Sequence, residues 1–291
     1  MSQPHPDHLP PSKLGTKSYW DKLYTTELTN HASDPSDIGT IWFDDSDAEA
    51  KITGYLSGES SLPRDTTSFL DLGCGNGSLL FSLRDGAQDS DDDDDDDDDG
   101  REQRKQQDRW TGRMLGVDYS PQSVQLARQV SSSSSSSSSS SAGKSRDNIS
   151  FEEWDVLSGP WKTVLNGQQS EGWDVVLDKG TFDAISLSAG GDGDGDDDGE
   201  GDGDDIRGSQ GDQGNSSPRR RPNEGYRPRV LQLVRPGGYF IITSCNWTEP
   251  ELRAWFEGDD GFVLHGRVEY RSFQFGGHKG QTITTLCFRK R

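Results

Sequence analysis

The sequence predicts an α/β fold: a seven-stranded, mostly parallel sheet with helices on both faces and an antiparallel hairpin at the C-terminal end. Three observations support this fold class. Short apolar runs alternate with segments whose apolar residues recur at helical spacing, which is typical of a parallel sheet covered on both faces. The last two runs flank the glycine-rich segment 275–280, as in a hairpin. Four of the runs end in aspartate, at Asp71, Asp118, Asp155 and Asp178.

Each predicted element follows from its local pattern. The predicted strands are the apolar runs at 67–72, 114–118, 149–154, 173–178, 239–243, 262–273 and 282–288. The predicted helices have apolar residues at helical spacing, at 19–24, 47–56, 78–84, 120–130, 181–187, 230–234 and 249–256. Ser120 and Pro121 mark one helix start, because serine caps a helix N-terminus and proline is tolerated in the first turn. A turn at 235–238 precedes the fifth strand.

The domain organisation follows from changes in composition. Residues 1–15 are rich in proline and histidine, which predicts a disordered tail. Residues 16–291 are expected to form a single domain that contains three low-complexity insertions. The insertions are an aspartate run at about 86–109, a polyserine segment at about 131–148 and a Gly/Asp tract with a basic flank at about 190–223. Such segments cannot bury enough apolar area to offset the entropy of ordering them.

The charge of the chain is concentrated in two of these segments. The formal net charge is −21, but residues 89–99 contain 10 acidic residues and residues 192–205 contain 9, without which it would be −2. No basic stripe is visible, which argues against a nucleic-acid partner. No run approaches the ~18 apolar residues of a membrane span, and the N-terminus has no signal peptide. We therefore expect no membrane partner.

The cysteines and histidines exclude two further kinds of site. The three cysteines have no CxxC spacing, which argues against a disulfide framework or a zinc site and favours a reducing compartment. The five histidines show no metal-ligand spacing and no Ser/His/Asp arrangement. We expect a cytoplasmic protein without a metal, and a monomer.

The most informative segment is Asp71-x-Gly73-x-Gly75-x-Gly77, between a predicted strand and a predicted helix. Glycines allow the backbone to approach a ligand closely, and the helix start that follows favours polar or anionic groups. The third glycine comes two positions after the second, whereas a dinucleotide-binding fingerprint places it three positions after. The carboxylate of Asp71 could meet a cationic amine. The alternative is a structural glycine turn.

The aspartates at the other strand ends suit further parts of a ligand, because ligands of open α/β sheets bind beyond the carboxyl ends of the strands. Asp118 follows Asp71 by 47 residues, or by 23 without the 24-residue insertion, close to the ~20 expected for an acidic residue that binds ribose. Asp155 and Val156 suit an adenine, with a carboxylate for the exocyclic amine and an apolar side chain for the ring. The alternative for each aspartate is that it caps a turn.

The segment from Asp178 to Ile185 is the second informative stretch. Asp178 could hold the ammonium group of a substrate lysine and help it lose its proton. Lys179 is interpreted as a structural or substrate-edge residue and not as a nucleophile. An aromatic set could wall a lysine channel, because rings tolerate cationic amines; the alternative is core packing. The members of this set are Tyr19, Trp20, Trp42, Phe43 and Trp247.

These motifs together resemble those of the class I, or Rossmann-like seven-stranded, S-adenosylmethionine-dependent methyltransferases. Within that family the chain is similar to the protein-lysine methyltransferases that act on translation elongation factor 1-alpha. The second resemblance depends on the segments 19–24, 41–43, 71–77, 116–120, 178–185, 234–239 and 244–248. The combination of 19–24 with 178–185 is the part that is specific to this group. It implies S-adenosylmethionine as the cofactor, methylation of a lysine ε-amine and elongation factor 1-alpha as the protein substrate.

The resemblance also implies roles for particular residues. The cofactor would be bound by Trp20, Asp71, Gly73, Gly75, Asp118, Tyr119, Asp155 and Val156, and the catalytic residue would be Asp178. Two other functions stay open at this point. A class I methyltransferase could act on a small-molecule acceptor, because the same fold serves many acceptors. Alternatively, the chain could be a non-catalytic protein that keeps the cofactor fold and binds a basic partner.

Overall fold

The computed structural model describes most of the chain outside the low-complexity segments. The described residues are 6–86, 109–136, 148–189, 221–259, 261–270, 272–275, 278–281 and 283–291. The predicted insertions lie mostly outside these ranges, except that the helix before the polyserine segment continues to Ser136 and residues 221–223 are described. Among the described residues, no helix is long and apolar enough to cross a membrane.

A seven-stranded mixed sheet forms the centre of the molecule and confirms the predicted fold class. The strands are β1 (Phe69–Leu72), β2 (Met114–Asp118), β3 (Ile149–Glu153), β4 (Trp173–Lys179), β5 (Val234–Ser244), β6 (Phe262–Val268) and β9 (Thr284–Lys290). Their order in the sheet is β3-β2-β1-β4-β5-β9-β6. Strands β1 to β5 are parallel to one another, whereas β9 runs antiparallel to both β5 and β6.

The C-terminal region differs from the prediction in two details. The expected single strand over 262–273 ends at Val268, and a separate two-stranded sheet follows, made of β7 (Ser272–Phe275) and β8 (His278–Gln281). The expected turn at 235–238 lies within β5. Trp173 pairs with Val234 and Val175 with Tyr239, so residues 235–238 stand opposite Asp174 as a bulge and the strand continues past them.

Helices cover both faces of the sheet, because neighbouring residues along each strand point to opposite sides. In β1, Leu70 packs into one core cluster and Phe69 into the other. Residues of α6, α7 and α8 fill the first cluster, and residues of α2, α3 and α4 fill the second. The helices are α1 (Lys17–Ser33), α2 (Ala48–Ser57), α3 (Ser78–Asp85), α4 (Pro121–Ser136), α5 (Trp161–Val164), α6 (Thr181–Ser186), α7 (Tyr226–Leu233) and α8 (Glu249–Phe256).

Helix α1 is longer than the predicted helix at 19–24. It has 17 residues and buries Tyr24, Glu27 and His31. Because Glu27 and His31 are polar, the sequence after Tyr24 shows no helical spacing of apolar residues that would predict this buried face. The Glu27 carboxylate accepts a hydrogen bond from the backbone N–H of Thr40 at 2.9 Å, which joins α1 to the segment before α2. Tertiary contacts therefore extend this helix beyond its apolar pattern.

The N-terminal segment also differs from the prediction of a disordered tail over residues 1–15. Residues 6–15 lie against the domain, and Leu9 packs on the core. The backbone N–H of Ser12 donates to the carbonyl of Leu187 at 3.0 Å, and the Arg221 guanidinium donates to the carbonyl of Leu9 at 2.9 Å. Contacts with residues more than 170 positions away order this segment, and its proline-rich composition does not reveal them.

Candidate active site

The glycine loop lies at the carboxyl edge of the sheet, between β1 and α3. The backbone N–H groups of Gly73 and Cys74 both donate to the carbonyl of Val117, at 2.8 and 3.0 Å, so the loop folds over the end of β2. Gly73 has a φ of +66°, and a Cβ atom there would lie 2.0 Å from Oγ1 of Thr181. A side chain at this position would therefore clash with α6. The glycine permits the close approach of β1 and α6.

Asp118 connects the glycine loop to the end of β2. Its carboxylate accepts hydrogen bonds from the backbone N–H groups of Ser120 (2.9 Å) and Gly75 (3.2 Å) and from the Ser123 hydroxyl (2.8 Å). Burial raises the pKa of Asp118, and these three donors oppose that shift. The carboxylate is held rigidly at the cavity wall and retains acceptor capacity for a ligand hydroxyl.

A buried group of acidic residues lies under the loop. Asp71 is 3% exposed. Burial raises its pKa well above the usual range of a carboxyl; the charge of Lys179 lowers it, and the charges of Glu49 and Asp178 raise it further. A cationic ligand group placed here would favour the ionised form of these carboxylates.

One cavity brings together six of the nine residues that the sequence assigns to the site. Of the nine, those that line it are Trp20, Gly73, Asp118, Tyr119, Asp155 and Val156. Asp71, Gly75 and Asp178 do not line it. Gly75 lies behind the wall, where a Cβ atom would be 2.9 Å from the Tyr24 hydroxyl oxygen, and its N–H supports Asp118. Tyr24 itself lines the cavity.

The structure corrects the position expected for Asp178. Its side chain is 2% exposed, and its carboxylate accepts hydrogen bonds from the backbone N–H groups of Thr181 (2.9 Å) and Phe182 (3.0 Å) and from the Tyr226 hydroxyl. Burial raises the pKa of Asp178 to about 7. The carboxylate thus caps the start of α6 and anchors α7, and it does not line the cavity. The residue of this segment that lines the cavity is Asp183.

Asp183 positions another part of the cavity wall. Its carboxylate accepts hydrogen bonds from the Ser244 hydroxyl (2.5 Å) and from the backbone N–H of Cys245 (2.8 Å). Burial raises the pKa of Asp183, and these donors lower it. Cys245 and Asn246 line the cavity directly after this anchor. The loop after β5 is therefore held by a side chain from α6.

Aromatic side chains form the opposite wall. Trp20, Trp42 and Phe43 line the cavity, and the ring centroids of Trp20 and Trp42 are 5.2 Å apart. The Trp20 indole N–H donates to the carbonyl of Leu14 at 2.8 Å, which fixes the ring. Of the other aromatic residues that the sequence suggests, Tyr19 packs edge-on against Trp20 at 5.2 Å and does not line the cavity. Trp247 lies in the core, 3% exposed.

A buried ion pair supports the aromatic wall, and sequence reasoning missed one of its partners. The Lys179 ammonium donates to the carbonyl of Trp42 at 3.1 Å and lies 3.4 Å from the Glu49 carboxylate. Glu49 also accepts hydrogen bonds from the Ser78 hydroxyl (2.6 Å) and the Ser82 hydroxyl (3.1 Å) of α3. A charged residue inside the predicted helix 47–56 looks solvent-exposed in the sequence, so only its position beside Lys179 reveals this role.

Other cavity residues were also missed. Leu14 and Gly15 line the cavity although the sequence places them in the tail. A Cβ atom on Gly15 would lie 2.2 Å from the carbonyl oxygen of Leu187, so the N-terminal segment passes very close to the end of α6. The one signal in the sequence was the apolar Leu14 directly before the aromatic helix.

The residues present fit the cofactor expected from the resemblance, S-adenosylmethionine. Asp118 offers acceptors for ribose hydroxyls, and Val156 and Leu157 offer apolar contacts for an adenine ring. The buried carboxylates near Lys179 suit the positive charges of an aminoacyl sulfonium. Within the described ranges, no group of three His, Cys, Asp or Glu side chains could hold a metal ion.

Comparisons with known proteins agree with this site. A protein-family model described as a methyltransferase domain matches residues 63–277. Protein-lysine N-methyltransferase EFM4 of Saccharomyces cerevisiae is 34% identical, over 97% of this chain and 96% of its own length. EEF1A lysine methyltransferase 2 of Danio rerio is 30% identical, over 96% and 89%. The Homo sapiens protein of the same name is 29% identical, over 99% and 91%.

Proposed function

Because this chain belongs to the methyltransferase family and, within it, to the protein-lysine N-methyltransferases, we propose that it methylates a lysine of translation elongation factor 1A. The family uses S-adenosylmethionine as its methyl donor. The names of the Danio rerio and Homo sapiens relatives, EEF1A lysine methyltransferase 2, support elongation factor 1A as the substrate. Their similarity extends over nearly the whole chain, so it includes both the cofactor side and the substrate side of the cavity.

The observation that carries this proposal is the composition of the cavity. Gly73, Asp118 and Asp155, which the proposal assigns to the cofactor, line it together with the rings of Trp20 and Trp42. Aromatic faces attract cationic and methylated amines. A cavity lined by these residues suits the transfer of a methyl group from S-adenosylmethionine to an amine.

The chemistry requires alignment more than reactive protein groups. When bound, S-adenosylmethionine would supply a methyl group on a sulfonium, which a neutral amine can accept in line while the sulfur leaves as a neutral thioether. The aromatic wall can hold the lysine side chain in that line. Removal of water around the amine lowers the pKa of an ammonium group and so favours the neutral form. Lys179 is engaged with Glu49 and Trp42, which makes it a positioning residue.

We also propose that the protein acts as a monomer in the cytoplasm, without a nucleic-acid or membrane partner. The cysteines support a reducing compartment, since Cys74, Cys245 and Cys287 are all free. Subcellular fractionation tests the cytoplasmic location, and light scattering of the purified protein tests the monomeric state. Recovery in an organelle fraction, or a mass of twice 32.0 kDa, would contradict them.

The decisive experiment combines purified protein, recombinant elongation factor 1A and S-adenosylmethionine labelled in the methyl group. We expect label on one protein band and a mass increase on a lysine-containing peptide. Asp118→Asn should abolish the transfer because Asp118 holds the ribose side. The matched control is Glu153→Gln, which removes a charge from an exposed position on β3. Label only in small molecules would contradict the proposal and favour a small-molecule acceptor.

A further inference from the structure

Helix α7 faces the cavity wall through Arg229, a residue for which the proposed function gives no role. The Arg229 guanidinium donates from Nε to the carbonyl of Val156 at 2.7 Å and from Nη2 to the carbonyl of Gly159 at 2.6 Å. It lies 3.7 Å from the centroid of the Trp161 ring and 5.2 Å from that of Trp154. One side chain thus contacts both ends of a short loop and two rings beside it.

We name residues 155–159 the adenine-side loop, because its first residues line the cavity where an adenine would lie. Asp155, Val156 and Leu157 are all cavity residues. The loop curls on itself: the backbone N–H of Leu157 donates to the Asp155 carboxylate at 2.8 Å, and the backbone N–H of Gly159 donates to the Asp155 carbonyl at 2.7 Å. These internal bonds do not use the carbonyls of Val156 and Gly159.

The carbonyls of Val156 and Gly159 require a donor, because buried backbone groups without a partner are costly. Val156 and Gly159 are both buried. Arginine suits this role since its planar fork can donate to two acceptors at once, whereas a lysine offers a single point charge. The stacking of the guanidinium on Trp161 adds a second constraint on its orientation.

The same helix supports the other side of the site. Tyr226 lies three residues before Arg229, on the same face of α7, and its hydroxyl donates to the Asp178 carboxylate. Helix α7 therefore supports the end of β4 through Tyr226 and the loop after β3 through Arg229. Arg227, between them, donates from Nε to the carbonyl of Phe256 at 2.9 Å, at the end of α8.

We propose that Arg229 is a positioning residue for cofactor affinity, which holds the adenine-side loop in the conformation that binds the adenine of S-adenosylmethionine. It acts through the backbone of Val156 and Gly159 and does not itself line the cavity. This inference rests on the cofactor of the proposed function and not on the identity of the protein substrate.

The test is calorimetric binding of S-adenosylmethionine and of 5′-methylthioadenosine, which carries the adenosine without the amino acid. In Arg229→Met we expect the Kd for both ligands to rise by the same factor. If the loop keeps its binding conformation for about a tenth of the time, that factor is about tenfold, because the apparent Kd scales inversely with the competent fraction. The Kd values of Arg229→Lys should lie between those of Arg229→Met and those of the wild type.

Arg227→Met is the matched control, since it removes the same charge from the same helix and leaves the adenine-side loop intact. Its Kd should equal that of the wild type. Steady-state kinetics give a second readout: Arg229→Met should raise the KM for S-adenosylmethionine while kcat and the KM for the protein substrate stay within twofold. A general loss of structure would change all three.

Three results would overturn the inference. The first is a Kd for Arg229→Met within twofold of that for Arg227→Met. The second is a rise for S-adenosylmethionine without one for 5′-methylthioadenosine, and the third is a loss in kcat without a change in Kd. If Arg229→Met does not fold, Arg229→Lys against Arg227→Lys gives the same comparison. Absence of binding by the wild type would instead contradict the proposed function.

Discussion

Gly73→Ala should destabilise the protein through its contact with Thr181. Gly73 has a φ of +66°, and an L-residue in that left-handed region costs about 1–2 kcal/mol. The added Cβ would lie 2.0 Å from Oγ1 of Thr181 and 3.1 Å from its Cβ. The Thr181 hydroxyl must therefore move and give up its 2.7 Å hydrogen bond to the carbonyl of Leu72, which costs about 1 kcal/mol more.

The expected loss in the free energy of unfolding is therefore about 2–3 kcal/mol. Urea denaturation at neutral pH measures it, provided that the slope m stays unchanged. Gly54→Ala is the matched control: Gly54 lies within α2 and has nothing within 4 Å of an added Cβ. That variant should be more stable than the wild type by about 0.5–1 kcal/mol, because alanine is the better helix former.

A double-mutant cycle separates the clash from the backbone strain. Thr181→Ala should cost about 1 kcal/mol by losing the bond to Leu72. In Gly73→Ala/Thr181→Ala the hydroxyl is gone, so the double variant should be more stable than the sum of the single losses by about 1 kcal/mol. Strictly additive losses, or a loss below about 0.5 kcal/mol for Gly73→Ala, would refute the account of this contact.

Three further outcomes are expected. Burial raises the pKa of Asp178 to about 7, so the native state keeps a proton that the unfolded chain loses from about pH 4. The free energy of unfolding therefore falls as the pH rises between these two values. Asp178→Asn should flatten that fall in urea titrations at pH 5 to 8, and an unchanged slope would contradict this prediction. Glu49→Gln weakens a buried ion pair and should cost about 1–3 kcal/mol in urea, whereas Glu152→Gln, from an ion pair exposed on both sides, should cost less than about 0.5 kcal/mol; equal losses would contradict the role of burial. Partial desolvation and the neighbouring Asp183 carboxylate raise the pKa of the Cys245 thiol to about 12, although the residue is exposed. Its labelling by a disulfide reagent should therefore still accelerate from pH 8 to 10 and should slow when S-adenosylmethionine is bound. A plateau below pH 9 would contradict this.

The glycine loop and the aspartate at the end of β2 could be predicted because their signals are local. Alternating burial in a strand, a helix cap and a glycine turn are all encoded within a few residues. The same local rule places Asp71, Asp118, Asp155 and Asp178 near one edge of the sheet, and that edge was predicted correctly. Local patterns also gave the number of strands in the central sheet.

Longer-range contacts limited the rest of the prediction. The chain at 6–15 was interpreted as disordered because its composition is rich in proline, yet Arg221 and Leu187 hold it against the domain. The local pattern of the predicted helix 47–56 gives no role to Glu49, yet this residue pairs with Lys179, 130 positions later. No local pattern reports a partner so distant in the chain.

Local patterns in the amino-acid sequence are enough to predict the sheet, the order of its elements and the set of polar residues at its carboxyl edge. The tertiary structure decided which of those residues face the cavity. Asp178 turns into the protein because the Tyr226 hydroxyl, 48 residues later, and the first N–H groups of α6 bind its carboxylate. Asp118 is held at the cavity wall because the N–H of Gly75 and the Ser123 hydroxyl fix it from beside the cavity. The residue type and strand position are alike for the two aspartates, and only the direction of their hydrogen-bond donors separates their roles.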